Sequence, residues 1–282
     1  MTNAEQWLRD APYCRILGIE GIDVTPERCE LTLPYRAQNA NHTGVLHGGV
    51  AASLGTIASQ AIARTALGEA SHPRYTADIQ VDYLSIATTE TLIAEGRLSR
   101  KGRDLCFNSV DIRTQEGQSI AKAHTLVHGR HGSPASPLPV PRLEMPRTGV
   151  APMAERIANN PYIAERGMRM AYQEAGNCVI SLPQGATNLD SSGATHEGAA
   201  LALFDTTGAM AAMSLIDGPL KRASTPSIQA QFLGPMPSGD LEARSQVIHR
   251  DGHLFWSDVE VVALSTNNVC IRGTVVYRII PQ

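Results

Sequence analysis

Two stretches of the chain stand out by what they lack. Between Gly48 and Ala63 there is no ionisable side chain, and between Glu197 and Asp217 there is one, Asp205. Both runs are rich in Ala, Leu, Gly, Ile and Met and too long for a strand, which predicts helices over 48–66 and 197–215 buried nearly all round. Downstream the period changes to two: Ala77, Ile79, Val81 and Tyr83 alternate with Asp78, Gln80 and Asp82, as Ile228, Ala230 and Phe232 do with Gln229 and Gln231. Alternation of that kind marks a strand with one buried face. Three more strands are expected near 90–99, 104–113 and 118–128 and at the corresponding later positions, with Gly102 and Gly117 in the turns. Upstream of each apolar run, a short helix and strand precede a second strand ending Leu31-Thr32-Leu33-Pro34 or Ile180-Ser181-Leu182-Pro183, then a polar loop. One buried helix followed by antiparallel strands implies an α+β fold, a curled sheet wrapped round a central helix.

These signals occur twice because the chain is one unit written twice. A self-match at a constant offset of 149 residues runs without insertion from Pro12/Pro161 to Thr125/Thr274. It pairs Tyr13 with Tyr162, Gly18 with Gly167, Cys29 with Cys178, Gly44 with Gly193, His47 with His196, Gly49 with Gly198 and Leu54 with Leu203. Prolines 134, 137, 139, 141, 146 and 152 crowd the stretch between the copies. They lack amide donors and favour extended backbone, so this stretch is expected to be a linker. The expected organisation is a first domain over 1–130, a linker over 131–154 and a second domain over 155–282.

Composition narrows the partners. With 24 Lys+Arg against 27 Asp+Glu the formal charge is −3, so nothing electrostatic recommends nucleic acid or an anionic membrane. Five widely spaced cysteines, with no Cys-x-x-Cys pair, suggest neither a disulfide framework nor a thiolate metal site, and fit a reducing cytoplasm. The opening MTNAEQWLRDAPYCR has no apolar core of a signal peptide, and no stretch is expected to span a membrane.

The order of elements, with Asn41-His-Thr-Gly-Val-Leu-His47-Gly48-Gly49 at the entrance to the first helix, resembles the hotdog fold. More narrowly, it is similar to the PaaI-like (phenylacetic acid degradation) type of acyl-CoA thioesterase. The resemblance covers both copies and implies two tandem hotdog domains that hydrolyse an acyl-coenzyme A thioester. It places the active site between two hotdog units, one supplying Asn and the His-Gly helix start, the other an acid nine positions after its own His. Coenzyme A enters as part of the substrate, and no metal or redox cofactor is implied. A homo-oligomer of such chains is expected.

Carried over position by position, the motif is split. The first copy has Asn41, His47, Gly48 and Gly49, but Thr56 at the acid position; the second has Asp205 there, but Asp190 for Asn and Glu197 for Gly. Pairing the copies gives one intact site, Asn41, His47 and Gly48 opposite Asp205, and one defective site. The expected catalytic set is Asp205, Asn41, Gly48, His47 and Thr225. The expected substrate-binding set is Gly49, Thr76, the basic hairpin Arg100-Lys101-Gly102-Arg103 and Arg250. Thr76 and Thr225 occupy a strand position where the family places a small hydroxyl residue, and either could face the site.

Chemistry supports those residue types. Thioester hydrolysis needs donors aimed at the carbonyl oxygen and a base or nucleophile at the carbonyl carbon. A helix N-terminus offers unpaired N–H groups, so Gly48 can hold the oxyanion, and Asn41 can add a second donor. Asp190 could only accept. Asp205 could act as base or as nucleophile. His47 could take part directly or position the loop. The alternative function is a non-catalytic acyl-CoA-binding or sensor hotdog. A hydratase is disfavoured because no Asp-x-Asn-Pro-x-His run occurs.

Overall fold

The computed structural model describes residues 2–68, 74–129, 138–218 and 220–281. The first copy contains α1 (Asn3–Asp10), α2 (Pro12–Leu17), β1 (Gly21–Val24), β2 (Arg28–Leu33), α3 (Gly48–Leu67), β3 (Arg74–Tyr83), β4 (Leu92–Lys101), β5 (Leu105–Thr114) and β6 (Ser119–Gly129). The second repeats the order: α4 (Ala154–Ala158), α5 (Pro161–Arg166), β7 (Arg169–Glu174), β8 (Asn177–Leu182), α6 (Glu197–Met213), β9 (Leu220–Phe232), β10 (Leu241–Asp251), β11 (Leu254–Ala263) and β12 (Asn268–Pro281). Local chemistry repeats as well. Pro12 and Pro161 open their helices where no amide partner is needed, and Gly18 and Gly167 close them with φ of 88° and 68°, a left-handed turn that costs glycine little.

Among the described residues the twelve strands form one sheet in the order β1-β2-β4-β5-β6-β3-β9-β12-β11-β10-β8-β7. The two copies join through antiparallel pairing of β3 with β9, where Gln80 lies opposite Gln229, its own repeat mate. That pairing puts a pseudo-twofold axis at the centre of the sheet. Ser227 donates to Asp82 at 3.0 Å and Gln231 to Asp78 at 2.9 Å across the join.

The central helices are as buried as their composition implies, α3 from Gly49 to Ala63 and α6 from Gly198 to Ala209. They pack on each other at glycines. A Cβ on Gly49 would lie 2.7 Å from the Ala202 Cβ, and one on Gly198 would lie 2.5 Å from the Ser53 Oγ. Gly49, expected among the substrate-binding residues, therefore belongs to the helix crossing. Near the same axis the hydroxyls of Tyr13 and Tyr162 meet at 2.6 Å. Ser53 donates to the Gly49 carbonyl at 2.6 Å, so Tyr13 donates to Ser53, also at 2.6 Å, and Tyr162 to Tyr13. Ser53 has Ala202 as its mate, so this chain of hydroxyls runs one way only.

Of the proline-rich stretch, residues 130–137 lie outside the described residues, and 138–150 have no helix or strand. The described part is tied to the second copy. Arg147 forks onto both oxygens of Glu242 at 3.0 Å, and Arg142 reaches Glu260 at 3.4 Å. Arg244 sits between those two carboxylates, so the buried charges are paired, as burial requires.

Candidate active site

Helix α3 starts at Gly48 because His47 caps it: the Gly49 N–H donates to His47 Nδ1 at 3.0 Å. A neutral ring whose Nδ1 accepts carries its proton on Nε2. Burial, reinforced by the nearby Arg166 guanidinium, pushes the His47 pKa down to about 4, so the ring stays neutral. It also stacks on Tyr162 of the other copy at 4.7 Å. His47 is thus fixed as a cap, its basic nitrogen already engaged. The cap satisfies the second amide of the helix and leaves the first, on Gly48, with no partner among the described residues.

Opposite that amide stands Asp205. It lies in α6, 5% exposed, and a Cβ on Gly48 would be 3.3 Å from its Oδ2. Its Oδ1 accepts from Thr225 Oγ1 at 2.8 Å. Burial pushes the Asp205 carboxyl up to about 6, while the Thr225 hydrogen bond pulls the other way. Thr225 points inward because the β9–β12 register slips between Ser227 and Ser224, a bulge that re-aims the side chains.

Asn41 lies in the loop before the cap. Its Oδ1 accepts from the amides of Thr43 at 2.8 Å and Val45 at 3.2 Å and from the Thr43 hydroxyl at 2.7 Å. Its Nδ2 has no partner among the described residues. Asp190 makes the same turn, accepting on Oδ1 from Ser192 and Ala194. The loop is therefore indifferent to Asn or Asp, and the copies differ in the remaining atom, a donor in one and an acceptor in the other.

In the other site Thr76 is not beside Asp205 but on Glu197. Its amide and hydroxyl donate to the two Glu197 oxygens at 2.8 and 2.6 Å, and Gln60 Nε2 adds a bond at 3.2 Å. Burial raises the Glu197 pKa, opposed by those bonds. Both sites thus hold a carboxylate on a threonine hydroxyl. In the second the carboxylate comes from the helix start, across the interface from the acid position that Thr56 has vacated.

The structure does not bring the basic hairpins to this centre. Arg100, Lys101 and Arg103 are exposed around the β4–β5 turn at Gly102. Arg250 donates to the Gly252 carbonyl at 3.2 Å and lies 4.9 Å from the Phe255 ring centroid. Among the described residues no contact joins either hairpin to Asp205 or Gly48. No group of three or more His, Cys, Asp or Glu among them is placed to hold a metal ion.

Comparison with known proteins matches residues 5–127 to a family described as a domain of unknown function, DUF4442, and residues 192–270 to the thioesterase superfamily. Each match falls within one repeat. The second repeat is the one similar to the thioesterase superfamily. Acyl-coenzyme A thioesterase 13 of Homo sapiens is 28% identical over 142 residues, 46% of this chain and 96% of that protein. The Mus musculus protein of the same name is 28% identical over 110 residues, 38% of this chain and 76% of its own. A hotdog-fold protein from Alicyclobacillus acidocaldarius superposes with a TM-score of 0.62 over 100% of both chains at 14% identity. Acyl-CoA thioesterase II TesB2 from Mycobacterium marinum does so with 0.62 over 98% of both chains at 11% identity. The fold is a double hotdog.

Two site residues escaped sequence reasoning. The Tyr83 hydroxyl donates to the Gly48 carbonyl at 3.2 Å, and its ring lies 3.4 Å from where a Gly48 Cβ would be. Burial, with Asp205 adding to it, raises the pKa of Tyr83 and of Tyr277. The available signal was the repeat: Tyr83 has Phe232 as its mate and Tyr277 has His128, so the phenols are peculiar to this site.

Proposed function

We propose that the chain hydrolyses acyl-coenzyme A thioesters at one site per chain, built from Asn41 and Gly48 of the first repeat and Asp205 and Thr225 of the second. The observation that carries this reading is the buried Asp205 carboxylate set against the unpartnered first amide of α3, on Gly48, with Thr225 on its other oxygen. The superfamily match and the two relatives named as acyl-coenzyme A thioesterases supply the substrate class. The PaaI-like pattern, Asn41-x5-His47-Gly48-Gly49 with the acid nine after the second repeat's His196, makes that subtype part of the proposal.

Above pH 6 Asp205 is ionised and can take a proton from water as the water oxygen bonds to the thioester carbon. The negative charge that develops on the carbonyl oxygen is held by the Gly48 N–H, aligned with the positive end of α3, and by Asn41 Nδ2. The C–S bond then breaks, coenzyme A leaves as thiolate and is protonated, and the acid remains. If Asp205 attacks directly, the first product is a mixed anhydride that water opens. Label found in Asp205 after a single turnover in heavy-oxygen water marks the anhydride route, through attack of water on the Asp205 carbonyl. Arg100, Lys101, Arg103 and Arg250 are assigned to coenzyme A contact. Neither route calls for a metal or redox cofactor.

The test is thiol release over aryl, short-chain and long-chain acyl-CoA substrates, with an unreactive analogue titrated in parallel. Turnover with one analogue bound per chain is expected. Analogue binding without turnover by folded protein overturns the proposal in favour of an acyl-CoA-binding protein.

A further inference from the structure

The defective site is not simply a closed remnant. It holds a cavity of about 130 Å³ whose lining includes the apolar Trp7, Ile57 and Met236 and the polar Gln60, Arg64 and Arg74. An enclosed apolar cavity of roughly 150 Å³ holds benzene. This one is slightly smaller but not sealed from solvent, so a ring can enter with its polar group toward the opening. Its polar groups are not inherited from the shared fold: Gln60, Arg64 and Arg74 have Ala209, Met213 and Ala223 as repeat mates, and Trp7 has Arg156. They are present only where the thioesterase motif has been lost.

Two of those groups lack partners that burial ordinarily demands. Gln60 is 4% exposed and its Oε1 accepts no hydrogen bond. The Arg64 Nε is buried without an acceptor, and among the described residues no carboxylate lies within ion-pair distance of this guanidinium, which rests 4.1 Å over the Trp7 ring. Burial, and after it the neighbouring Arg74 charge, pushes the Arg64 pKa down to about 10, against the opposing pull of the more distant Glu197 and Asp190 charges. The acids in the wall do not supply it directly: Glu197 is bonded to Thr76 and Gln60, and one oxygen of Asp190 is spent on its own turn.

We infer that this cavity binds a small organic monocarboxylate, its charge on Arg64 and its apolar body against Trp7, Ile57 and Met236. A multiply charged anion such as phosphate fits worse, because Asp190 and Glu197 line the same cavity and the apolar wall would go unused. The Gln60 Oε1 offers an acceptor to a ligand bearing a hydroxyl or amide. The inference does not rest on the thioesterase reading, since none of these side chains belongs to the Asp205 centre.

Benzoate and its neutral counterpart benzyl alcohol are the probes, titrated into the whole chain by calorimetry. Trp7 supplies a second readout: Trp7 and Trp256 are the only two tryptophans, so in a Trp256→Phe chain the emission reports on the cavity wall alone. One benzoate per chain is expected, at least tenfold tighter than benzyl alcohol, with a change in Trp7 emission. Arg64→Met, which installs the repeat mate, should remove that preference while thiol release stays unchanged, and Asp205→Asn should leave benzoate affinity within twofold. Equal affinity for benzoate and benzyl alcohol in the wild-type chain, or a silent Trp7 in the Trp256→Phe chain, overturns the inference, whatever the folding of Arg64→Met. Displacement of benzoate by equimolar inorganic phosphate overturns it too, as does loss of benzoate binding in Asp205→Asn.

Discussion

Replacing Asp205 by Asn should make the protein more stable and less active at once, and the size of the first effect follows from the site. The unfolded carboxyl titrates near 4 and the native one at about 6, because burial disfavours the charged form. The unfolded state therefore loses its proton first as pH rises, and wild-type stability falls between about pH 4 and 6 and stays lower above. A shift of about 2 units amounts to about 3 kcal/mol at pH 8. With Asp205 almost fully enclosed, solvent screening removes little of it. Asn keeps the shape and can still accept from Thr225, so the variant should escape that cost. Thermal melts at pH 4 and pH 8 check this. At pH 8 the variant should melt roughly 6 °C above wild type, and at pH 4 the two should coincide. Turnover should fall by about 10²-fold or more, as for loss of a general base. A variant no more stable than wild type at pH 8, or stabilised equally at both pH values, would refute the assignment of burial as the dominant force on this carboxyl.

Asn41→Asp is sharper than Asn41→Ala, because Asp190 shows that Asp holds the same turn; kcat should drop about 10²–10³-fold with the melting temperature within a few degrees, the loss expected for one oxyanion donor. Thr225→Val removes the bond that holds the Asp205 charge, so the rising limb of the kcat/KM pH profile should move upward from about 6, and an unmoved limb would detach Thr225 from the chemistry. Thr56→Asp alone should not create a second working site and should destabilise the fold, since the Glu197 carboxylate already holds Thr76 and two carboxylates would compete for it. Measured in an Asp205→Asn background, thiol release should return only when Thr56→Asp is combined with Glu197→Gly and Asp190→Asn.

Local pattern along the chain was enough to set the elements and the split of the motif. A run from Gly48 to Ala63 without a charge is too long for a strand and rich in helix formers, so it reads as a buried helix, and the structure buries Gly49 to Ala63. Alternation from Ile79 to Tyr83 fixes a strand for the same local reason. The constant offset placed Gly48 in one copy and Asp205 in the other, and the fold sets them face to face. What local spacing could not determine is which groups meet across the pseudo-twofold. Thr225 and Thr76 are equivalent in sequence, yet one bonds Asp205 and the other Glu197, because bulges in β9 and β3 turn both inward and the two copies offer different acids. Gly49 looked like part of the substrate motif and lies in a helix crossing, since a contact of 2.7 Å to Ala202 depends on how two helices dock. Arg64 and Trp7, far apart along the chain, become a stacked pair at a cavity only once α1 lies against α3. Periodicity is a property of neighbours along the backbone; the reach of Glu197 across the interface to the place Thr56 left empty is a property of packing.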